Sequence, residues 1–457
     1  MHIPRLMLSA IRSRTGKTTI TIGLMRALAN RGYKVQPYKV GPDFIDPSFH
    51  FFATGRHSRN LDSFMLSPND IMESFQRNLG DADMAVIEGK MGLYDSHNAV
   101  DEKGSSAEIS KLLKCPVVLI ADVERMSRTV APLLMGYRDF DPEVDIEGVI
   151  LNRVGNPRHA GKARKAAEQL AKMNVFGVVP RQEVVIPDRH LGLIPAHERD
   201  EFESIFDKLA SLVEQHVDID GILKVAEKSP DLQEVDHNSL FKEEKSDIRI
   251  GILADRAFSF YYQDTIDAFA SKGEIVFIDA LKDKRLPEID LLYIGGGFPE
   301  VFAPELENNK KLRERICEFC NSGKPVYGEC GGLMYLGESI LVDGGEYEMV
   351  GFLPLKTKMH QKFQAHGYST YTAVKDNLLC KKGDTLLGHE FHYSEVIKTR
   401  AKDLDFAFKV KRGSGIDGYD GITLKNTLAT YIHIHVLSYP EMIKNLLRTA
   451  KKVKDNG

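Results

Sequence analysis

Gly16-Lys17-Thr18-Thr19 brings together a flexible turn, a cation and two hydroxyls, the residue types that hold a phosphate chain. The surrounding string LMLSAIRSRTGKTTITIGLMRALANRG reads as a strand, a turn and an amphipathic helix that closes at Gly32. Backbone N–H groups at the helix start would face phosphate oxygens, Lys17 would reach the β and γ phosphates, and the Thr18 hydroxyl would ligate Mg²⁺. Neither Ala10 nor Ile11 is the first glycine of the common loop, and arginines stand at 12 and 14. That departure alters the loop but not the chemistry its end can perform.

A second, chemically different constellation lies near the other end. PVYGECGGLMYLG reads as a buried strand, a sharp turn carrying Cys330, and a helix from about Gly332. A thiol at a helix N-terminus is expected to have a lowered pKa, and the thiolate is the nucleophile. Gly328, Gly331 and Gly332 permit a strained turn, and the Gly331 N–H would help hold an oxyanion. The run Gly295 to Gly297 would supply the second donor, placed at Gly296. A thiol nucleophile also needs a base, and LATYIHIHVLSYP offers His433 and His435 at strand spacing, on the same face. Periodicity alone does not choose between them.

Acidic residues follow the apolar runs of the first half. YKVGPDFIDPSFH supplies Lys39, Asp43 and Asp46, and AVIEGKMGLYD supplies Glu88 and Asp95. Glu88 ends an apolar strand and precedes a glycine, an awkward place for a carboxylate unless it meets a cation. Thr18, Glu88 and Asp46 together would form an oxygen-rich site suited to Mg²⁺. Asn152 and Arg153 stand at the end of another strand, where they would read the adenine edge of ATP. Cys317 and Cys320 lie on an amphipathic helix and are expected in the core, because no second pair stands at a zinc spacing. His389 and His392 flank Glu390 but lack a third ligand at a sensible spacing.

Positioning these residues requires sheets with helices on both faces. Short β-branched runs alternate with helical patterns over the first 200 or so residues, the signature of a mostly parallel sheet. At 457 residues, length alone suggests about three domains, whereas the pattern resolves two. The first is an α/β domain over 1–222 that would bind ATP, and after a polar linker over 223–246 the second is an α/β domain over 247–457 in which the 345–430 region carries antiparallel strands. Hydrophobic residues at 42%, charged residues at 28% and a net charge of −4 leave no basic field for nucleic acid. No apolar run approaches the roughly 18 residues of a membrane span. Five cysteines, an odd number, argue against a disulfide framework, and a cytoplasmic setting is expected. A homodimer is compatible with the sequence.

Taken together, the strings GKTTITIGLMRAL, VQPYKVGPDFIDPSFH, RNLDSFML, VIEGKMGLYD, GSSAEISKLL, RHLGLIPAHE, IGGGFPEVFAPEL, YGECGGLMYLG, GHEFHYS and ATYIHIH resemble the cobyrinic acid a,c-diamide synthase family, which includes archaeal Ni-sirohydrochlorin a,c-diamide synthases. The resemblance covers nearly the whole chain. It implies an α/β fold with an N-terminal P-loop, dethiobiotin-synthetase-like parallel sheet domain and a C-terminal class I-like glutamine amidotransferase domain. It implies ATP- and glutamine-dependent amidation of the a and c acetates of a tetrapyrrole polycarboxylate through an acyl phosphate, in cobalamin or coenzyme F430 biosynthesis. On this resemblance Cys330 matches the nucleophile and His433 its base, with His435 the second choice. Glu88, Asp95 and Asp43 match acids of the metal and synthetase steps. The third triad acid is not reliably present in the family, and none is assigned. A cobyric acid synthase would amidate other corrinoid carboxylates, and a non-metabolic P-loop ATPase switch would account for the N-terminal third alone.

Overall fold

The computed structural model describes residues 1–181, 196–236, 239–398 and 404–456. They fall into two compact units, one on residues up to 236 and the other on residues from 239, two where length alone suggested about three. Most of the string RHLGLIPAHE, residues 189–195, lies outside the described residues.

In the first unit the strands are β1 (Arg5–Ala10), β2 (Val35–Val40), β3 (Arg59–Leu61), β4 (Met84–Glu88), β5 (Val117–Asp122), β6 (Ile146–Val154) and β7 (Asn174–Pro180). They form one sheet in the order β3-β2-β4-β1-β5-β6-β7, with every pairing parallel. β1, β2, β4 and β5 are buried along their full length, as a sheet covered on both faces requires. Helix Lys17–Asn30 packs on helix Ala196–His216. Gly23 permits that approach, since a Cβ there would lie 2.6 Å from the Leu209 carbonyl oxygen.

Part of the expected linker belongs to this unit. Helix Ile219–Glu227 buries Ile219, Ile222, Val225 and Ala226, a stripe at helical spacing that the interleaved charges obscure in the sequence. Beyond it, the buried Arg5 guanidinium donates to the carbonyls of Pro230 (2.5 Å), Leu113 (2.7 Å), Ile3 (3.0 Å) and Lys114 (3.1 Å). The Leu232 N–H donates to the Met1 carbonyl at 2.9 Å. The segment is therefore hydrogen-bonded to the edge of the unit at least as far as Leu232.

The second unit opens with β8 (Arg249–Leu253), β9 (Phe258–Phe260), β10 (Glu274–Ile278), β11 (Leu291–Ile294), β12 (Gly296–Gly297) and β13 (Val326–Glu329). It continues with β14 (Ser339–Val342), β15 (Gly345–Glu348), β16 (Leu355–Met359), β17 (Ala365–Ala373), β18 (Thr385–His392) and β19 (Ser394–Lys398). The last strands are β20 (Phe406–Arg412), β21 (Tyr419–Leu424), β22 (Thr427–Thr430) and β23 (His433–Ile434). The main sheet runs β10-β8-β11-β13-β22-β21-β20-β17-β18-β23. Its first five strands are parallel and the remainder antiparallel, in keeping with the Tyr- and Thr-bearing runs of the 345–430 region. Cys320 is buried in the core of this unit with Cys317 packed against it. All five cysteines are free.

Candidate functional site

Two groups of polar side chains gather at carboxyl ends of parallel strands, where open sheets place their ligands. In the first unit the loop after β1 ends at Gly16, which has φ 86° and stands at the N-cap of helix Lys17–Asn30. No side chain caps that helix, so its first N–H groups keep the character of an anion site. The side chain of Asn152 packs against Gly16 closely enough to exclude a Cβ, and its amide donates to the Thr15 carbonyl at 2.8 Å. This differs from the expected contact with adenine. Asn152 spends its amide holding the loop, a role visible only once β6 is placed beside it. Thr19 is half-buried in the first turn of the helix. Arg12 and Arg153 both pair with the buried Asp122, at 3.1 and 2.8 Å.

Glu88, the last residue of β4, is fully buried and saturated with donors. Lys17 Nζ donates to Oε1 at 2.6 Å, Thr18 Oγ1 to the same oxygen at 2.8 Å, and Lys39 Nζ lies 3.3 Å away. His50 Nε2 meets Oε2 at 2.7 Å, while its Nδ1 faces Ser58 Oγ at 3.1 Å. Lys39 also bonds Asp46, and Thr18 Oγ1 lies 3.4 Å from Asp46 Oδ2. Burial alone would push the Glu88 carboxyl up, but Lys17 and Lys39 hold it well below the usual range. Asp46 behaves oppositely. Burial, with the charges of Asp43 and Glu88 added, pushes it up to about 7.

The other expected residues of this unit stand one step out. Asp43 Oδ1 accepts from the N–H groups of Ile45 (2.8 Å) and Asp46 (3.1 Å), capping the next helix, with Oδ2 3.7 Å from Lys39 Nζ. Asp95 closes its own turn by accepting from the Gly92 N–H at 2.7 Å. His50 carried no signal in the sequence beyond its place after the acidic loop. Among the described residues no set of three or more His, Cys, Asp or Glu side chains is disposed to hold a metal. What converges is two carboxylates and one hydroxyl, those of Asp46, Glu88 and Thr18.

In the second unit Cys330 follows β13 with φ 47° and ψ −96°, a strained conformation for a residue with a Cβ. The strain turns the chain sharply into helix Gly331–Leu336, and only a glycine fits at 332, where a Cβ would collide with the Ile294 carbonyl. The thiol is 4% exposed. The expected lowering of its pKa is corrected by that burial, which pushes the thiol up, with the Glu300 charge adding to the effect. A helix of six residues brings too small a dipole to reverse it. The Gly331 N–H acts in the opposite, lowering direction but is outweighed.

His433 is fully buried, paired with His389 across β18 and β23 and stacked on it at 5.0 Å. Its Nδ1 faces Glu329 Oε2 at 3.2 Å. Gly296 lies against the ring's other edge, for a Cβ there would stand 2.5 Å from Cε1 and 3.3 Å from Nε2. A Cβ on Gly331 would in turn stand 3.4 Å from the Gly296 carbonyl carbon, so the glycine turns, the ring and the thiol's own loop are packed together. His435, the alternative base, is directed elsewhere, with Nε2 3.4 Å from Asp264 Oδ2. Glu390 anchors a loop by accepting from Ser369 Oγ (2.7 Å) and the N–H groups of Ser414 (2.9 Å) and Gly415 (2.7 Å). His389 meets Tyr262 OH at 3.0 Å.

Residues 6–194 match the CobQ/CobB/MinD/ParA nucleotide binding domain, and residues 249–441 match the CobB/CobQ-like glutamine amidotransferase domain. A cobyrinate a,c-diamide synthase of Archaeoglobus fulgidus is 58% identical over 455 residues, which cover 99% of each chain. The chain belongs to the cobyrinate a,c-diamide synthase family. Other members are that of Methanosarcina barkeri, 42% identical over 100% of this chain and 97% of its own, and that of Methanothermobacter thermautotrophicus, 43% identical over 98% and 99%. As a member, the chain is an amidating ligase that draws nitrogen from glutamine, with a nucleotide-binding domain beside the glutamine amidotransferase domain. That pairing sets aside the reading as a non-metabolic ATPase switch. No helix among the described residues is long and apolar enough to cross a membrane.

Proposed function

We propose that this chain converts the a and c acetate carboxylates of cobyrinate to amides, with ATP as the activating nucleotide and glutamine as the nitrogen source. The observation that carries the reading is the presence, in one chain, of a lysine-and-carboxylate site at Lys17, Thr18, Lys39, Asp46 and Glu88 and of a thiol, imidazole and carboxylate site at Cys330, His433 and Glu329. Relatives named for that activity, matched end to end, support the choice of substrate over other corrinoid carboxylates.

In the glutaminase half-reaction the Cys330 sulfur attacks the side-chain amide carbon of glutamine after passing its proton to His433. Backbone N–H groups around Gly331 and Gly296 hold the oxyanion, and His433 returns the proton to the departing ammonia. Water then releases glutamate from the thioester. In the synthetase half-reaction an acetate oxygen attacks the γ-phosphorus of ATP, ADP leaves, and ammonia displaces phosphate from the acyl phosphate. Lys17 spreads charge on the transferring group, and Lys39 holds Asp46 and Glu88 in place.

The oxygens of Thr18, Asp46 and Glu88 suit a small hard cation, and the crowding that pushes Asp46 up to about 7 is what a dication would relieve. Mg²⁺ bound there would neutralise phosphate charge. Lys17 and Thr18 both donate to Glu88, so these two donors must change partner to reach a nucleotide.

Replacing Cys330 with Ala tests the division of labour. Glutamine-driven amidation should disappear while amidation with ammonium salts persists, and loss of both contradicts the reading. Offering cobyrinate and Ni-sirohydrochlorin separately and counting amides by mass tests the macrocycle.

A further inference from the structure

We propose that Glu329, the residue immediately before the nucleophile, is the positioning acid for His433. The inference rests on the reading of Cys330 and His433 as nucleophile and base and assigns the carboxylate that this pair requires. Glu329 ends β13, where the sheet pairs it with Thr430, three residues before His433. It is 1% exposed, and its two oxygens have separate partners. Oε1 accepts from Tyr327 OH at 2.7 Å, which fixes the carboxylate plane, and Oε2 faces His433 Nδ1 at 3.2 Å.

A strand alternates its side chains, so consecutive residues leave it on opposite sides. The positive φ of Cys330 breaks that alternation at once. One dipeptide can then present a carboxylate to the Nδ1 side of the ring while the thiol leaves in another direction, with its sulfur 3.7 Å from the Phe391 carbonyl oxygen. The other buried acids nearby are committed elsewhere. Asp264 faces His435 at 3.4 Å, and Asp420 accepts from Thr430 Oγ1, Tyr431 N and Gly421 N at 2.9, 2.9 and 2.7 Å.

The need for such an acid follows from the burial of the thiol. In a site that disfavours a lone thiolate, the nucleophile forms only if the proton passes to His433, which makes a buried imidazolium. A carboxylate held at 3.2 Å from Nδ1 stabilises that cation and fixes the tautomer whose Nε2 can accept the proton. Glu329 does not touch glutamine. Its effect passes through the imidazole.

The test compares Glu329→Gln and Glu329→Asp with the intact enzyme. Glutaminase kcat should fall about 10²- to 10⁴-fold in Glu329→Gln, with KM for glutamine changed less than threefold and ammonium-driven amidation retained. Iodoacetamide labelling of the Cys330 peptide, followed by mass against pH, should show its inflection moved upward by about one pH unit or more, a shift that a merely structural role would not produce. Glu329→Asp should keep the charge and recover part of the rate. Glutaminase within threefold of normal, or a labelling profile that does not move, overturns the assignment. If Glu329→Gln loses the fold, seen as loss of ammonium-driven activity too, the labelling profile of Glu329→Asp decides, a shift supporting the proposal and its absence overturning it. Failure of the underlying reading looks different, because Cys330→Ala would then keep its glutaminase.

Discussion

Gly296→Ala is the smallest change that reaches the imidazole without altering any ionisable group. Its Cβ would stand 2.5 Å from His433 Cε1, 3.3 Å from Nε2 and 3.3 Å from the Phe260 Cβ. Ordinary carbon contacts begin near 3.5 Å, so one partner has to move by about 1 Å. The glycine cannot retreat easily, because it pairs with Phe260 between β12 and β9. The ring has to yield instead, although it is fully buried, stacked on His389 at 5.0 Å and faced by Glu329 at 3.2 Å. Overpacking of this kind costs about 1–3 kcal/mol in stability, and a displacement near 1 Å in a reacting group costs about 10²-fold in rate. Glutaminase kcat should therefore drop by about two orders of magnitude, while amidation driven by ammonium salts stays within about twofold. Steady-state release of glutamate, run beside the ammonium-driven reaction, makes the comparison. A variant with unimpaired glutaminase would refute the placement of His433 as base.

Lys17→Ala should reduce ammonium-driven amidation by about 10²- to 10³-fold and leave glutaminase measured without ATP intact, since Lys17 is the cation expected to meet transferring phosphate. Retention within tenfold would remove it from that role. Glu390 provides a pH test of stability. Burial works against its ionisation, yet the His392 ring 3.8 Å away and hydrogen bonds from Ser369, Gly415 and Ser414 hold its pKa down to about 2. A carboxyl depressed in the folded state adds stability above its ordinary value near 4.5 and loses it as pH falls toward 2, roughly 2–4 kcal/mol in all. Glu390→Gln should melt well below the intact protein by calorimetry at pH 7, and the gap should narrow between about pH 4.5 and 2. A gap that stays constant with pH would contradict the ionised state.

Features set by neighbours in the chain were legible in the sequence. Gly16 at a left-handed N-cap and Cys330 in a strained turn follow from local glycine, β-branched and helical patterns, and both stand where the strings place them. Partners brought from afar were not. Asn152 reaches the Thr15 carbonyl across 137 positions and Glu329 reaches His433 across 104, and no periodicity encodes such pairs. The thiol's pKa was misjudged for a related reason, since a helix N-terminus is visible in a string whereas burial is a sum over the whole unit. Charges dispersed along 223–246 hid the stripe of helix Ile219–Glu227. Glu329 nevertheless had a signal, the one that singled out Glu88: a carboxylate ending an otherwise apolar strand beside a glycine-rich turn.

That shared signal has a physical basis. Glu88 ends β4 and Glu329 ends β13, each an interior strand of a parallel sheet segment, and neither is more than 1% exposed. An isolated carboxylate at such a point would pay several kcal/mol in lost hydration, so it persists only where donors answer it. At Glu88 the answering groups are Lys17, Thr18, Lys39 and His50, and at Glu329 they are Tyr327 and His433. Removing the carboxylate in either place strands buried donors, and removing a donor strands the charge. At Glu329 the fold sets the partners before any substrate arrives, which lowers the reorganisation that half-reaction requires, whereas at Glu88 the Lys17 and Thr18 donors still have to exchange the carboxylate for the nucleotide.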